Sequence, residues 1–130
     1  MNNQEIFNRV LSHIRLQKVQ AVGSREQCVY RGPEGTKCAV GCLIPDDVYN
    51  ADMEGSVIRE VMYNSMYVPA LKDSLDAIGI HQDQYPLLAQ LQDAHDGENQ
   101  VVDWNLPNWE DEMREIANAF NLEYKEPVHG

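Results

Sequence analysis

Residues 27–40, with the sequence QCVYRGPEGTKCAV, decide the fold class that the sequence predicts. Two short runs with β-forming residues, 27–31 and 36–40, flank the turn sequence GPEG at 32–35. Proline presets the φ angle of a turn residue, and the second glycine accepts a positive φ. The pattern therefore predicts a β-hairpin near residues 27–40, within a cysteine-containing hairpin motif that spans 27–45.

Outside this motif the sequence predicts helices. Apolar side chains recur at three- and four-residue spacing over residues 2–18, which indicates an amphipathic helix. The helical region 56–122 is predicted to contain four helices, over residues 56–65, 69–78, 83–96 and 108–120. Asn121 is predicted to cap the last of them in a left-handed conformation, with Leu122 as its apolar partner. Residues 123–130 are predicted to be a frayed tail.

The length of 130 residues suits one hydrophobic core and is too short for two typical domains. Helices in most of the chain and one hairpin near residues 27–40 together predict a mostly helical, single-domain α+β fold.

The distribution of charge limits the class of partner. Ten Lys and Arg residues against 21 Asp and Glu residues give a formal net charge of -11. Residues 1–37 carry six basic and three acidic side chains, whereas residues 38–130 carry four basic and 18 acidic ones. Because a phosphate backbone requires a cationic face, the overall excess of acidic side chains argues against direct nucleic-acid binding. The acids either keep the protein soluble or imitate nucleic acid in the basic groove of a partner, with Glu110, Asp111 and Glu112 as candidate contacts.

Neither a membrane span nor a secretory signal is visible in the sequence. The longest apolar run, 38–44, has seven residues, while a span needs about 20. The first ten residues contain no basic patch followed by an apolar stretch. Three cysteines form no even set, which argues against a disulfide framework. We therefore expect a cytoplasmic protein that does not bind membranes.

Two motifs carry a resemblance to a known family. Residues 28–46 follow the pattern C-x-Y-R-G-x-x-G-x-K-C-A-x-G-x-L-I-P-D, and residues 88–96 follow L-x-x-L-Q-x-x-H-D ahead of a helix led by Trp109. This combination resembles a family of small, largely uncharacterised proteins of bacteria and tailed phages. The resemblance implies a bacterial or phage origin, with the host cytoplasm as the location of a phage-encoded protein. It implies no activity.

Cys38 is a candidate nucleophile. A thiol in the first turn of a helix, next to the cation of Lys37, becomes a reactive thiolate when its pKa falls. His95, on the apolar face of its helix, is the candidate base, and Asp96 is the candidate for orienting its ring. This hypothesis requires a helix that starts before Cys38, whereas the hairpin places Cys38 on a strand. In the alternative interpretation, the cysteines are small core residues and His95 is a satisfied buried histidine.

A metal site is a second hypothesis for the same segment. Three cysteines (Cys28, Cys38 and Cys42) and His95 make an acceptable tetrahedral zinc set. Their spacing lacks the C-x2-C knuckle of most structural zinc sites, so the sequence predicts no metal and no cofactor.

The residues around the turn are candidates for binding a small ligand. Tyr30, Arg31 and Lys37 surround the turn, and a guanidinium binds carboxylate or phosphate bidentately. In the alternative, Tyr30 packs in the core and Arg31 pairs with an acid such as Asp46. Trp104, in a predicted loop, is either an exposed anchor for a partner or a lid on the core.

Taken together, these patterns favour a small acidic interaction protein that binds and inhibits or modulates a partner macromolecule, with an anti-defence or regulatory role if it is phage-encoded. The alternative is a cysteine-dependent hydrolase or transferase that uses Cys38 and His95.

Overall fold

The computed structural model describes residues 1–18, 30–32, 35–50, 54, 69–96 and 105–126. Within them the chain forms four α-helices and two short 3-10 helices. The α-helices are α1 (Asn3–Gln17), α2 (Pro69–Ala77), α3 (Tyr85–Asp96) and α4 (Leu106–Ala119), and the 3-10 helices are Gly41–Leu43 and Gln82–Gln84. The helix predicted over 56–65 lies outside the described residues.

The amphipathic helix α1 starts at a reciprocal cap. The Asn2 side chain accepts a hydrogen bond from the Glu5 amide, and the Glu5 carboxylate accepts one from the Asn2 amide. The helix ends at Lys18, whose φ is 67° and whose amide donates to Ile14 O at 2.7 Å. Its apolar stripe is fully buried in the core and consists of Ile6, Phe7, Val10, Leu11 and Ile14.

The end predicted for the last helix is confirmed. Asn121 adopts a left-handed φ of 60° after α4. The Leu122 amide donates to Ala117 O at 2.7 Å, the long backbone bond that closes such an end. The chain then returns to α1, where Gln4 exchanges two hydrogen bonds with the backbone of Glu123, at 2.8 and 3.0 Å.

The core is formed where three helices meet. Helix α1 contacts the first 3-10 helix, α3 and α4, and α3 packs along α4. Trp109, Tyr85 and Phe7 are among the largest side chains that are completely buried there. Among the described helices, none has the length and apolar character needed to cross a membrane.

The predicted β-hairpin is wrong, and with it the α+β class, since the described residues are mostly helical and contain no strand. One antiparallel bridge joins Arg31 to Lys37, and the Gly32 amide donates to Thr36 O at 2.8 Å. The pairing does not continue through Cys38, because Cys38 O accepts from the Cys42 amide at 2.9 Å and the Tyr30 amide donates to Glu54 Oε1 at 2.9 Å. The backbone groups of Lys37 face away from Arg31 and bond the Gln17 side chain. Gln17 Oε1 accepts from Lys37 N at 2.7 Å, and Gln17 Nε2 donates to Lys37 O at 2.9 Å.

Candidate functional site

Beyond Lys37 the chain coils into a turn that we call the cysteine turn, residues 38–44. The Cys42 amide donates to Cys38 O at 2.9 Å, and the Ile44 amide donates to Gly41 O at 3.2 Å. The Gly41 amide also donates to Cys38 Sγ at 3.2 Å. Cys38 therefore precedes a single 3-10 turn of three residues, and not the α-helix that the nucleophile hypothesis requires.

The two described thiols differ in burial, since Cys38 is buried and Cys42 is partly buried against the core. Only 1% of Cys38 is exposed, so a substrate has no access to its sulfur. The Cys42 thiol donates to Ala39 O at 3.1 Å, and burial raises its pKa to about 12. The raised pKa disfavours the thiolate, which is the reactive form of a cysteine.

The cysteine turn packs against α3 through Gln92. Its Oε1 atom accepts a hydrogen bond from the Val40 amide at 3.1 Å, in a buried contact between residues 52 positions apart. His95 follows three residues later on α3 and is completely buried. The fold therefore brings together the two segments that carry Cys38 and His95, but closes both side chains off from solvent. Of the candidate orienting residue, Asp96, the structure describes only the backbone as the last residue of α3.

The zinc hypothesis finds no support in the described part of the chain. There, no group of three or more His, Cys, Asp or Glu side chains is placed so that it could hold a metal ion. Cys38, Cys42 and His95 consequently do not form such a group, and Cys28 lies outside the described residues.

The Arg31 guanidinium closes the end of the cysteine turn. Nη1 donates to Gly41 O at 2.6 Å, and Nη2 donates to Ile44 O at 2.5 Å. The group also lies 4.6 Å from the centre of the Tyr49 ring and 3.4 Å from Asp46 Oδ1. Arg31 thus bonds the carbonyl of Ile44 at the end of the turn and adds a second hydrogen bond to Gly41 O, which also accepts from the Ile44 amide. Arg31 is therefore a structural capping residue, as the alternative interpretation held in part.

Glu54 anchors the other side of Arg31. Its two carboxylate oxygens accept hydrogen bonds from the Tyr30 amide at 2.9 Å and the Arg31 amide at 3.1 Å. The Tyr49 hydroxyl donates to Glu54 Oε2 at 2.6 Å, and burial, followed by this hydrogen bond, raises the pKa of Tyr49 to about 12. A single carboxylate thus fixes two successive backbone amides and the ring on which Arg31 stacks.

Tyr30 and Lys37, the other two candidates for a ligand site at the turn, also have structural contacts. Tyr30 is 4% exposed and belongs to the core. Lys37 is held at its backbone by Gln17, while its ammonium group lies 3.7 Å from Asp46 Oδ1. Trp104 lies outside the described residues.

The three candidate acids at the start of α4 have different surroundings. Glu110 is buried and bonded to Arg15 at 2.6 and 2.9 Å, and it also accepts from the Tyr124 hydroxyl at 2.6 Å. Asp111 is exposed and 2.9 Å from Arg114 Nη1. Glu112 is half-buried and faces a surface groove. Of the three, Glu112 alone lines a concave surface.

This surface, the α3–α4 groove, has a volume of about 450 Å³. Helix α3 contributes Gln90 and Ala94. The contribution of α4 and its end comprises Glu112, Glu115, Ile116, Ala119 and Phe120. The groove thus combines an apolar floor with two carboxylates.

No protein-family model matches the sequence. No curated protein and no solved structure is significantly similar to it either. Functional assignment therefore depends on the geometry of the chain itself.

Sequence reasoning gave no role to Gln17, Gln92 or Glu54, the three side chains that hold residues 30–44, although Gln92 is the Gln of the second motif, 88–96. Each bonds a backbone group at least 20 positions away in the chain. No spacing rule within the motif marks such partners, because the fold alone brings them together. The one local signal of a structural role was that Arg31, Gly41 and Asp46 all occur in the first motif, and the structure places them together at the end of the cysteine turn.

Proposed function

We propose that the protein acts by binding a partner protein through its acidic surface, and not by catalysis. The observation that supports this is the contrast between its reactive groups and its surface. Cys38 and His95 are buried, and Arg31 is bonded to backbone carbonyls. The surface, in contrast, is open and acidic.

The exposed charges in the described part of the chain are unbalanced. Exposed bases there are Arg9, Lys18, Arg114 and Lys125. Exposed acids are Glu5, Asp46, Asp47, Asp73, Asp76, Asp83, Asp111, Glu115, Glu123 and Glu126. A surface of this sign accelerates encounters with basic partners and repels phosphate backbones and anionic membranes.

The narrower proposal is that the partner is a host factor in the bacterial cytoplasm, and that binding inhibits or modulates it. It is supported by the resemblance of residues 28–46 and 88–96 to proteins of bacteria and tailed phages. An anti-defence or regulatory role follows naturally for a small protein that offers an acidic surface and no accessible reactive group.

The proposal is tested by affinity capture from bacterial cells with two variants of equal stability. In one, Asp73→Asn, Asp76→Asn, Asp111→Asn and Glu115→Gln remove four exposed charges. In the control, Gln82→Ala and Asn118→Ala change exposed neutral residues.

We expect a partner that the native chain and the control retain, that the neutralised variant loses, and that high salt releases. The purified partner should then bind the purified chain with one stoichiometry. A partner retained equally by the neutralised variant would contradict the acidic-surface mechanism. If the native chain retains no protein beyond those that the bare resin binds, the binding function is contradicted.

A further inference from the structure

The four groove residues of α4 form one stripe. Glu115 and Ile116 each lie three or four residues from both Glu112 and Ala119, which places the four on one side of the helix. At 1.5 Å per residue the stripe is about 10 Å long, or two helical turns. The groove therefore has the length of a short helix segment.

The chemistry of the stripe changes along its length. Glu112 and Glu115 lie at one end, whereas Ile116 and Ala119 continue to the other, where Phe120 closes the groove. Opposite them, Ala94 of α3 is buried and completes the apolar floor. An occupant must consequently present apolar side chains and cations on the same face.

The charge of Glu115 is not compensated within the described part of the chain. Two other acids of α4 have cationic partners within 3 Å, since Glu110 pairs with Arg15 and Asp111 with Arg114. No described hydrogen bond or ion pair involves the exposed Glu115 carboxylate, and no residue that lines the groove is basic. Within the described residues, an incoming cation would therefore face no competing base at Glu115.

The geometry points to the α3–α4 groove as the docking site for a basic amphipathic helix of the partner protein. Its apolar side chains would cover Ala119 and Phe120 beside Ile116, and a Lys or Arg one turn away would pair with Glu115. This inference rests on the proposed function, because it names the part of the acidic surface that binds and the chemistry of the partner.

The test uses the full-length chain and a synthetic helical peptide as probe. The peptide has 14 residues, with Leu and Lys on one face at three- and four-residue spacing. A second peptide with Glu in place of Lys and a third with the same composition scrambled serve as controls. NMR shift changes of the labelled chain identify the bound surface, and calorimetry gives the dissociation constant.

The amphipathic basic peptide should bind and shift groove residues, while the acidic peptide should not bind. Glu115→Lys should weaken binding at least ~10-fold, since it replaces an attraction with a repulsion at the groove. Asp73→Lys, the same charge change at an exposed site on α2, should alter it by less than ~3-fold. Ala119→Arg, which fills the groove with a side chain of the protein's own, should abolish binding.

Four results would overturn the inference. The first two are peptide-induced shift changes that lie only outside the groove, and equal binding of the scrambled or acidic peptide. The other two are an equal loss of affinity in Asp73→Lys and Glu115→Lys, and the absence of saturable groove shifts at millimolar peptide. Self-association through the groove, seen by sedimentation, would overturn it in favour of a second copy of the chain. A captured partner that binds Glu115→Lys and native chain equally would reject the groove while leaving the proposed function intact.

Discussion

The cysteine turn and the α3–α4 groove contrast in how their polar groups are used. In the turn, the Arg31 guanidinium donates hydrogen bonds to Gly41 O and Ile44 O, so this polar group stabilises the fold. In the groove, the exposed Glu115 carboxylate has no described hydrogen-bond or ion-pair partner. The segment richest in chemically reactive residues is therefore a structural element, and the plainer helical surface is the one available to a partner.

Of the variants considered, Gly41→Ala should cause the largest loss of stability, because it acts on the tightest backbone contact of the cysteine turn. A Cβ at this position would lie 2.2 Å from Tyr30 O, a backbone atom that cannot move independently. We expect the free energy of unfolding to fall by about 3 kcal/mol or more, measured by urea denaturation. The control, Gly35→Ala, has open space around its Cβ and a φ of 77°, so it should cost only about 1 kcal/mol. Equal costs would contradict the close packing of the turn.

Arg31→Lys should have the next largest effect. A single ammonium cannot reproduce the fork that reaches Gly41 O and Ile44 O or the stacking on Tyr49, so we expect a loss of about 2 kcal/mol. Arg9→Lys, at an exposed position of α1, should stay within about 0.5 kcal/mol. If Arg31→Lys is as mild as the control, the guanidinium is not a structural cap.

The buried Cys42 thiol predicts a loss of stability in alkali. Burial raises its pKa from 9.0 to about 12, so the folded state holds the proton more tightly than the unfolded chain. This contribution is complete below pH 9 and is lost as the pH rises through 12, by up to about 1.4 kcal/mol per pH unit. Cys42→Ala should therefore show a shallower decline in unfolding free energy between pH 9 and 12 than the native chain. Parallel pH profiles would mean that the thiol is not buried.

Glu115→Lys should have the smallest effect on stability, within about 0.5 kcal/mol in urea denaturation, because no described contact is lost. Together with the expected loss of peptide binding, this result would separate recognition from folding. A large loss of stability would mean that Glu115 supports the fold and would remove it as a recognition residue.

The sequence predicts elements whose signals are local. The spacing of Ile6, Val10 and Ile14 marks α1, and Asn121 marks the end of α4. The hairpin prediction failed because the backbone groups that would extend the pairing are bonded elsewhere. The Tyr30 amide donates to Glu54, a residue outside the motif, and Cys38 O accepts from the Cys42 amide as the chain coils.

The sequence predicted which residues of the candidate site lie near one another, but not their roles. The sequence identifies Cys38 and Arg31 as neighbours in an unusual segment, but whether such residues react or support the fold depends on burial. Burial here is set by α1 and α3, whose contacts with the turn no local pattern encodes. The sequence did not predict the groove either, because side chains from two helices form it. Among those side chains, only Glu112 had been a candidate site residue.

The most direct test of the account is the alkylation rate of each cysteine in the native protein between pH 5 and 9, measured by peptide mass spectrometry with and without a chelator. The account predicts that Cys38 and Cys42 react at least ~100-fold more slowly than in the urea-unfolded chain, and that the chelator changes neither rate. Rapid modification of Cys38 near pH 6 would reveal an accessible thiolate. It would contradict the structural role of the cysteine turn and favour the cysteine-dependent enzyme.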